Sequence, residues 1–130
     1  RFDRFCCIYP TAPFVTAEKL KNAMALLDQA ESVMPVVAFS YPPQRGIILE
    51  NGRIRRKYPE YQNARSQDLE KLYHDCGQFY ACRTDAFLRD KTTDVEDLVP
   101  MILSEMEVQD IDTLEDWEIA ELKYRKMAGL

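Results

Sequence analysis

The chain has 130 residues, 46% of them hydrophobic and 30% charged, with a net charge of −5, a composition that suits one globular domain and not a disordered or membrane chain. No stretch approaches the roughly 18 apolar residues of a membrane span, no basic-then-apolar signal segment is present, and the acidic balance disfavours a nucleic-acid backbone as partner. Small-molecule partners, no nucleic acid, no membrane and a cytoplasmic location are the expectation.

In chain order, residues 5–9 form a short apolar run rich in strand formers and ended by Pro10, which predicts a central strand buried on both faces. Thr16 can cap a helix running to about Ala30, in which Leu20, Ala23, Leu27 and Ala30 recur at helical spacing while Lys19, Lys21 and Asp28 face water. Residues 36–39 give a second strand, closed by Pro42-Pro43. Residues 47–50 and 53–56 flank Asn51-Gly52, a strong hairpin signal because both residues tolerate positive φ. From 57 to 75 the chain is polar and aromatic without clear periodicity, which predicts a long loop carrying a short helix near 68–72. A strand at 78–82, a helical turn near 84–88 and a strand at 99–103 follow. Thr113 with Asp116 then forms a capping box ahead of a helix whose Leu114, Trp117, Ala120, Tyr124 and Met127 make one apolar stripe. The fold class is α/β with an inserted β-hairpin.

Cys6 and Cys7 are adjacent, and Cys76 and Cys82 lack the paired spacing of a zinc site, so all four read as inert, buried thiols. The four glycines are scattered singly, which excludes a Gly-rich loop that wraps phosphates with backbone amides. The chain also begins at Arg1 without an initiator methionine and runs almost directly into a strand, so it reads as a piece of something longer.

Chemistry is most visible at Gln109-Asp110-Ile111-Asp112, where an extended backbone points Asp110 and Asp112 to one face. Two such carboxylates suit magnesium, whose other positions go to water and substrate phosphate; the spacing equally allows Asp112 or Thr113 to cap the last helix. Arg45 follows a strand in a Pro-rich loop and Arg65 lies in the long loop. A guanidinium matches a carboxylate, so both can grip an acidic substrate or simply lie in water. His74, the single histidine, can donate a hydrogen bond, move a proton or serve structure alone.

Three ordered blocks carry a resemblance across essentially the whole chain: Tyr9-Pro10-Thr11-Ala12-Pro13-Phe14, Tyr73-His74-Asp75-Cys76-Gly77-Gln78-Phe79-Tyr80, and the stretch from Val108 to Trp117 around Asp110-Ile111-Asp112. They resemble the acylneuraminate cytidylyltransferases, which make CMP-sialic acids, and most closely the pseudaminic acid branch. Tyr9 stands where the sialic acid enzymes usually carry glutamine. The resemblance implies the C-terminal part of a Rossmann-like three-layer sheet, with residues of about 41–76 as a dimerisation insert and the nucleotide loop upstream. It implies a reaction in which the sugar's anomeric hydroxyl attacks the α-phosphate of CTP and displaces pyrophosphate, with Mg2+ as cofactor. Asp110 and Asp112 match the family's metal-binding aspartates. Arg45 matches the residue that meets the sugar carboxylate, Arg65 an arginine of the insert, and Gln44, His74, Tyr9, Thr11 and Gln78 fall at substrate-binding positions. The expected partners are CTP, an acidic nine-carbon sugar and a second copy of the chain, with the separated segment inactive. A metal-dependent sugar-nucleotide glycosyltransferase and a non-catalytic dimerisation module are the alternatives.

Overall fold

A computed structural model describes residues 1–130. In order it forms β1 (Arg4–Ile8), α1 (Ala17–Leu26), β2 (Ser32–Ala38), β3 (Ile47–Glu50), β4 (Arg53–Arg56), β5 (Tyr73–Asp75), β6 (Phe79–Arg83), α2 (Thr84–Asp90), β7 (Leu98–Ile102) and α3 (Leu114–Met127). Short 3-10 turns lie at Pro43–Arg45, Pro59–Tyr61, Ser66–Asp68 and Glu105–Glu107. The class is α/β with a mixed sheet. Two compact units result: Arg1–Val37 together with Asp75–Leu130, and Ala38–His74.

In the first unit β6 runs antiparallel to β1 on one edge and to the start of β2 on the other, and β7 lies parallel to β2. Side chains alternate along β6, so Phe79 and Ala81 enter one face and Cys82 the other. On the first face Ala23 and Leu27 pack with Val33, Phe79 and Ala81, with Leu20 and Met24 around them. On the other, Cys82 packs with Ala86 and Val95, and the Phe5 and Phe87 rings meet edge to face at 5.4 Å.

Several expectations need correcting. β1 pairs only with β6, and Ile8 is 48% exposed, so it is an edge strand and not one buried on both faces. α1 ends at Leu26, because the next amides bond three residues back (Leu27 to Met24, Asp28 to Ala25), although Leu27 and Ala30 still enter the core. Lys19 does not face water: its Nζ donates to the Phe14 carbonyl at 3.0 Å and pairs with Glu107 at 3.2 Å. β2 begins four residues early, at Ser32. The Ser32 hydroxyl is within hydrogen-bond distance of the Ala81 and Thr93 carbonyls, and the Pro35 carbonyl accepts from the Cys76 amide, so neither residue breaks the strand. α3 has the expected capping box from Thr113 and Asp116. Of its apolar stripe only Ala120 is buried, while Leu114, Trp117, Tyr124 and Met127 stay exposed, because no element of the chain covers that face. Of the four thiols Cys76 and Cys82 are buried, Cys6 is half-buried and Cys7 is exposed on the edge strand. Burial pushes the Cys76 thiol up to about 12.

The second unit contains the hairpin. β3 and β4 pair Leu49 with Ile54 and Glu50 with Arg53, and Asn51 and Gly52 turn the chain at φ 50° and 70°, the backbone that a two-residue turn matched to strand twist demands. The helix expected near 68–72 does not form: Ser66–Asp68 is a single turn and Leu69 is already extended, leading into β5, a strand the sequence reading did not include.

Two stability measurements follow. Phe79→Ala should cost about 3–5 kcal/mol in urea unfolding, because the ring is fully buried, against about 1 kcal/mol for Thr113→Ala, which removes a cap. Glu107 accepts from the Ser104 amide and hydroxyl and pairs with Lys19, which holds its carboxyl below the usual range. A depressed folded value means stability that is complete above the unfolded value, about 4.3, and is lost as pH falls through the folded value. Glu107→Gln should therefore flatten the acid limb of the stability profile.

Candidate substrate and metal site

The first unit brings together one residue or more from each of the three sequence blocks. Tyr9, just past β1, donates its amide to the Gln78 carbonyl at 2.9 Å, which fixes the first block against the second. Gln78 is buried, and its Nε2 donates to the Glu107 carbonyl at 2.7 Å, tying the second block to the segment that leads into the third. Its Oε1 is buried without a partner. Gly77 adopts φ +66°, and a Cβ there would lie 3.5–4.0 Å from the carboxylate of Asp110. The aspartate thus lies over the bare Cα of a glycine held in the left-handed region.

The turn at Gly77 has its own support. Asp75 Oδ1 accepts from the Gly77 amide at 2.8 Å, an Asx-type turn, and its other oxygen accepts from the Tyr80 hydroxyl. The Tyr80 oxygen in turn lies 3.3 Å from that of Tyr9, with the two rings edge to face at 5.7 Å. Burial first, and then the bond to Asp75, push the Tyr80 hydroxyl well above the ordinary tyrosine range. Asp75, Gly77 and Tyr80 were not singled out from the sequence. The signals were present in Asp-x-Gly, a turn pattern, and in the alternation that puts Gln78 and Tyr80 on one face of the chain.

Asp110 and Asp112 are both exposed, with half-buried Ile111 between them, on the segment joining the Glu105–Glu107 turn to α3. The cap of α3 is Thr113, and the Asp112 amide donates to the Asp116 carboxylate at 3.0 Å. Asp116 completes the capping box, its carboxyl held low chiefly by that amide, and the Asp112 side chain is not the cap. The chain forms no cluster of three or more His, Cys, Asp or Glu able to enclose a metal. Thr11 is exposed in the turn after Pro10.

The other predicted residues belong to the second unit. Gln44 Nε2 donates to the Glu70 carbonyl at 2.9 Å, and Arg45 Nη1 lies 3.4 Å from Ser66 Oγ. Gln44 Oε1 and Arg45 Nε are buried without partners. Gln44 also lines a cavity of about 420 Å³ with Phe39, Tyr41, Ser66 and Leu72. Arg65 is exposed and paired with Asp68 at 3.1 Å, and the His74 ring lies 4.9 Å from that of Phe39.

No protein-family model matches the chain. It is 34% identical over 127 residues to proteins named pseudaminic acid cytidylyltransferase from two Campylobacter jejuni strains, of serotypes O:2 and O:23/36, in matches that take in 95% of the chain and 55% of each relative. Over 112 residues it is 35% identical to a Helicobacter pylori protein named pseudaminic acid cytidylyltransferase and UDP-2,4-diacetamido-2,4,6-trideoxy-beta-L-altropyranose hydrolase, covering 84% of the chain and 22% of that relative. The chain spans about half the length of the Campylobacter relatives.

Gly77→Ala isolates the left-handed turn. The new methyl meets Asp110 only at ordinary contact distance, so the cost is backbone strain of about 1–2 kcal/mol, read by urea unfolding. A neutral result would remove the reason for glycine at this position.

Proposed function

We propose, from the premise that the chain belongs to the family of the pseudaminic acid cytidylyltransferases, that the protein carrying it activates an acidic nine-carbon sugar with CTP to give a CMP-sugar and pyrophosphate. The observation that carries this reading is the pair of contacts Tyr9 to Gln78 and Gly77 to Asp110, which link the three resembling blocks through the second within the first unit.

The donor set suits magnesium. Two exposed carboxylates with no third ligand from the chain match an ion that usually takes one or two carboxylates and fills its shell with water and substrate phosphate. Bound there, the ion would neutralise charge developing on the α-phosphate as the sugar's anomeric hydroxyl displaces pyrophosphate. Asp110 and Asp112 hold it, and Ile111 anchors the segment between them. Tyr9 and Thr11 border the sugar. In the second unit, the buried Arg45 Nε is a donor without a partner in the chain, which suits a sugar carboxylate, while the buried Gln44 Oε1 is an acceptor that suits a sugar hydroxyl or amide N–H, and Arg65 and His74 lie in the same unit. The triphosphate needs amides from elsewhere, since Gly77 and Gly52 are committed to turns. No helix is long and apolar enough to cross a membrane. The hairpin exposes Leu49 at 78% and Ile54 at 68% on one face, which suits burial against a second copy of the chain.

Asp112→Asn, in an enzyme with its nucleotide-binding part present, should lower kcat by about 100-fold or more with little change in sugar KM. Arg45→Ala should instead raise sugar KM by about tenfold, the loss of about 1.4 kcal/mol of binding. Near-normal turnover of Asp112→Asn at saturating magnesium would sink the metal assignment. Leu49→Glu should shift the chain to monomer in sedimentation, and a wild-type chain that is monomeric at high concentration would overturn the dimer.

A further inference from the structure

We infer that Asp75 is a positioning residue that orders the hydroxyls of Tyr80 and Tyr9 into a one-way relay, leaving Tyr9 with only lone pairs to offer. A carboxylate accepts hydrogen bonds and donates none, and a tyrosine hydroxyl has one proton. The Tyr80 proton is committed to Asp75. The contact of 3.3 Å between Tyr80 and Tyr9 can then be a hydrogen bond only if Tyr9 donates. Tyr9 is 39% exposed, so its oxygen meets an incoming group as an acceptor. The edge-to-face rings hold the pair in register. The same carboxylate accepts from the Gly77 amide, so the group that sets the relay's direction also fixes the turn beneath Asp110.

The consequence for specificity rests on the proposed sugar site: an acceptor at its border reads a donor on the substrate, a hydroxyl or an amide N–H, and disfavours an analogue that lacks it. The relay itself exists or fails without any sugar. The groups facing Tyr80 that titrate are Asp75 and Tyr9, and an acceptor-only neighbour should keep the Tyr80 proton in place far into the alkaline range.

Asp75→Asn is the informative change. Its amide oxygen still accepts from Gly77, but its NH2 donates to Tyr80, which turns the Tyr80 proton toward Tyr9 and the Tyr9 proton outward. The test is carbon-13 NMR of the chain labelled at tyrosine Cζ, with Tyr80 and Tyr9 assigned from Tyr80→Phe and Tyr9→Phe. In the unmodified chain the Tyr80 signal should keep its protonated position at a pH where the exposed tyrosines have ionised. In Asp75→Asn its midpoint should fall by about one pH unit or more, with the amide spectrum otherwise retained. An unchanged midpoint in that variant overturns the proposal. So does a Tyr80 that titrates among the other tyrosines of the unmodified chain, a result that decides the matter even if the variant does not fold. Saturation-transfer NMR with N-acetylneuraminic acid as probe runs in parallel: a chain that shows the relay and takes no sugar counts against the sugar site and leaves the relay standing.

Discussion

β6 is the strand on which the first unit depends, because it is hydrogen-bonded on both edges and packed on both faces. A strand in that position cannot shift register without moving Phe79 and Ala81 out of one core and Cys82 out of the other. The residues just before it inherit that fixity. The start of β6 determines where the chain must turn, and the turn is made by Gly77 in the one region of backbone space that a residue with a Cβ enters only at a cost. Asp75 on one side of the turn and Tyr80 on the strand are then held close enough to bond. The proposed site is thus an extension of the core's register.

The buried polar groups tell the same story in energetic terms. Ser32 and Gln78 are both nearly inaccessible, and each would cost on the order of 1–3 kcal/mol if left unpaired. Ser32 has two carbonyls within hydrogen-bond distance, one on β6, and so closes the β2–β6 contact at its first residue. Gln78 spends its NH2 on Glu107, whose carboxylate binds back to Ser104 and Lys19. Lys19 reaches the Phe14 carbonyl, so the loop after β1, the start of α1 and the turn before α3 are joined through half-buried polar contacts. Those contacts connect the first two sequence blocks to the turn that leads into the third.

Much of this was legible where local chemistry decides. Asn51-Gly52 specified the hairpin and its bounds, Thr113 with Asp116 specified the start of α3, and Thr16 capped α1 as expected. Each rests on a backbone requirement that few residues meet. The reading failed where neighbours far along the chain decide. The run at 5–9 has the composition of a buried strand whether or not a second strand lies beside it, so its edge position could not be read from composition. β2 was read as starting at Val36, and only the pairing shows that it begins at Ser32 and runs through Pro35, whose carbonyl accepts from the Cys76 amide. Lys19 was placed in water by helical periodicity, which does not know that Glu107 arrives from 88 residues away. Within the site, Asp110 and Asp112 were visible as a spaced pair. Asp75 and Tyr80 were not, because their roles come from the turn between them.

Four aspartates lie in or beside the proposed site, and their partners divide the work among them. Asp116 is spent on amides and a hydroxyl at the start of α3, and Asp75 accepts from an amide and a phenol. A carboxylate that accepts such bonds is poorly free to surround a cation, since its lone pairs already point elsewhere. Because Thr113 caps the helix and Asp116 accepts from the two amides before it, the Asp112 side chain is not called on for that role and stays exposed. Because Asp75 holds the glycine turn, Asp110 can lie over Gly77 without itself being the group that fixes it. A hard cation needs carboxylates that are positioned yet unspent. Here the positioning comes from the two aspartates that the proposed chemistry does not use.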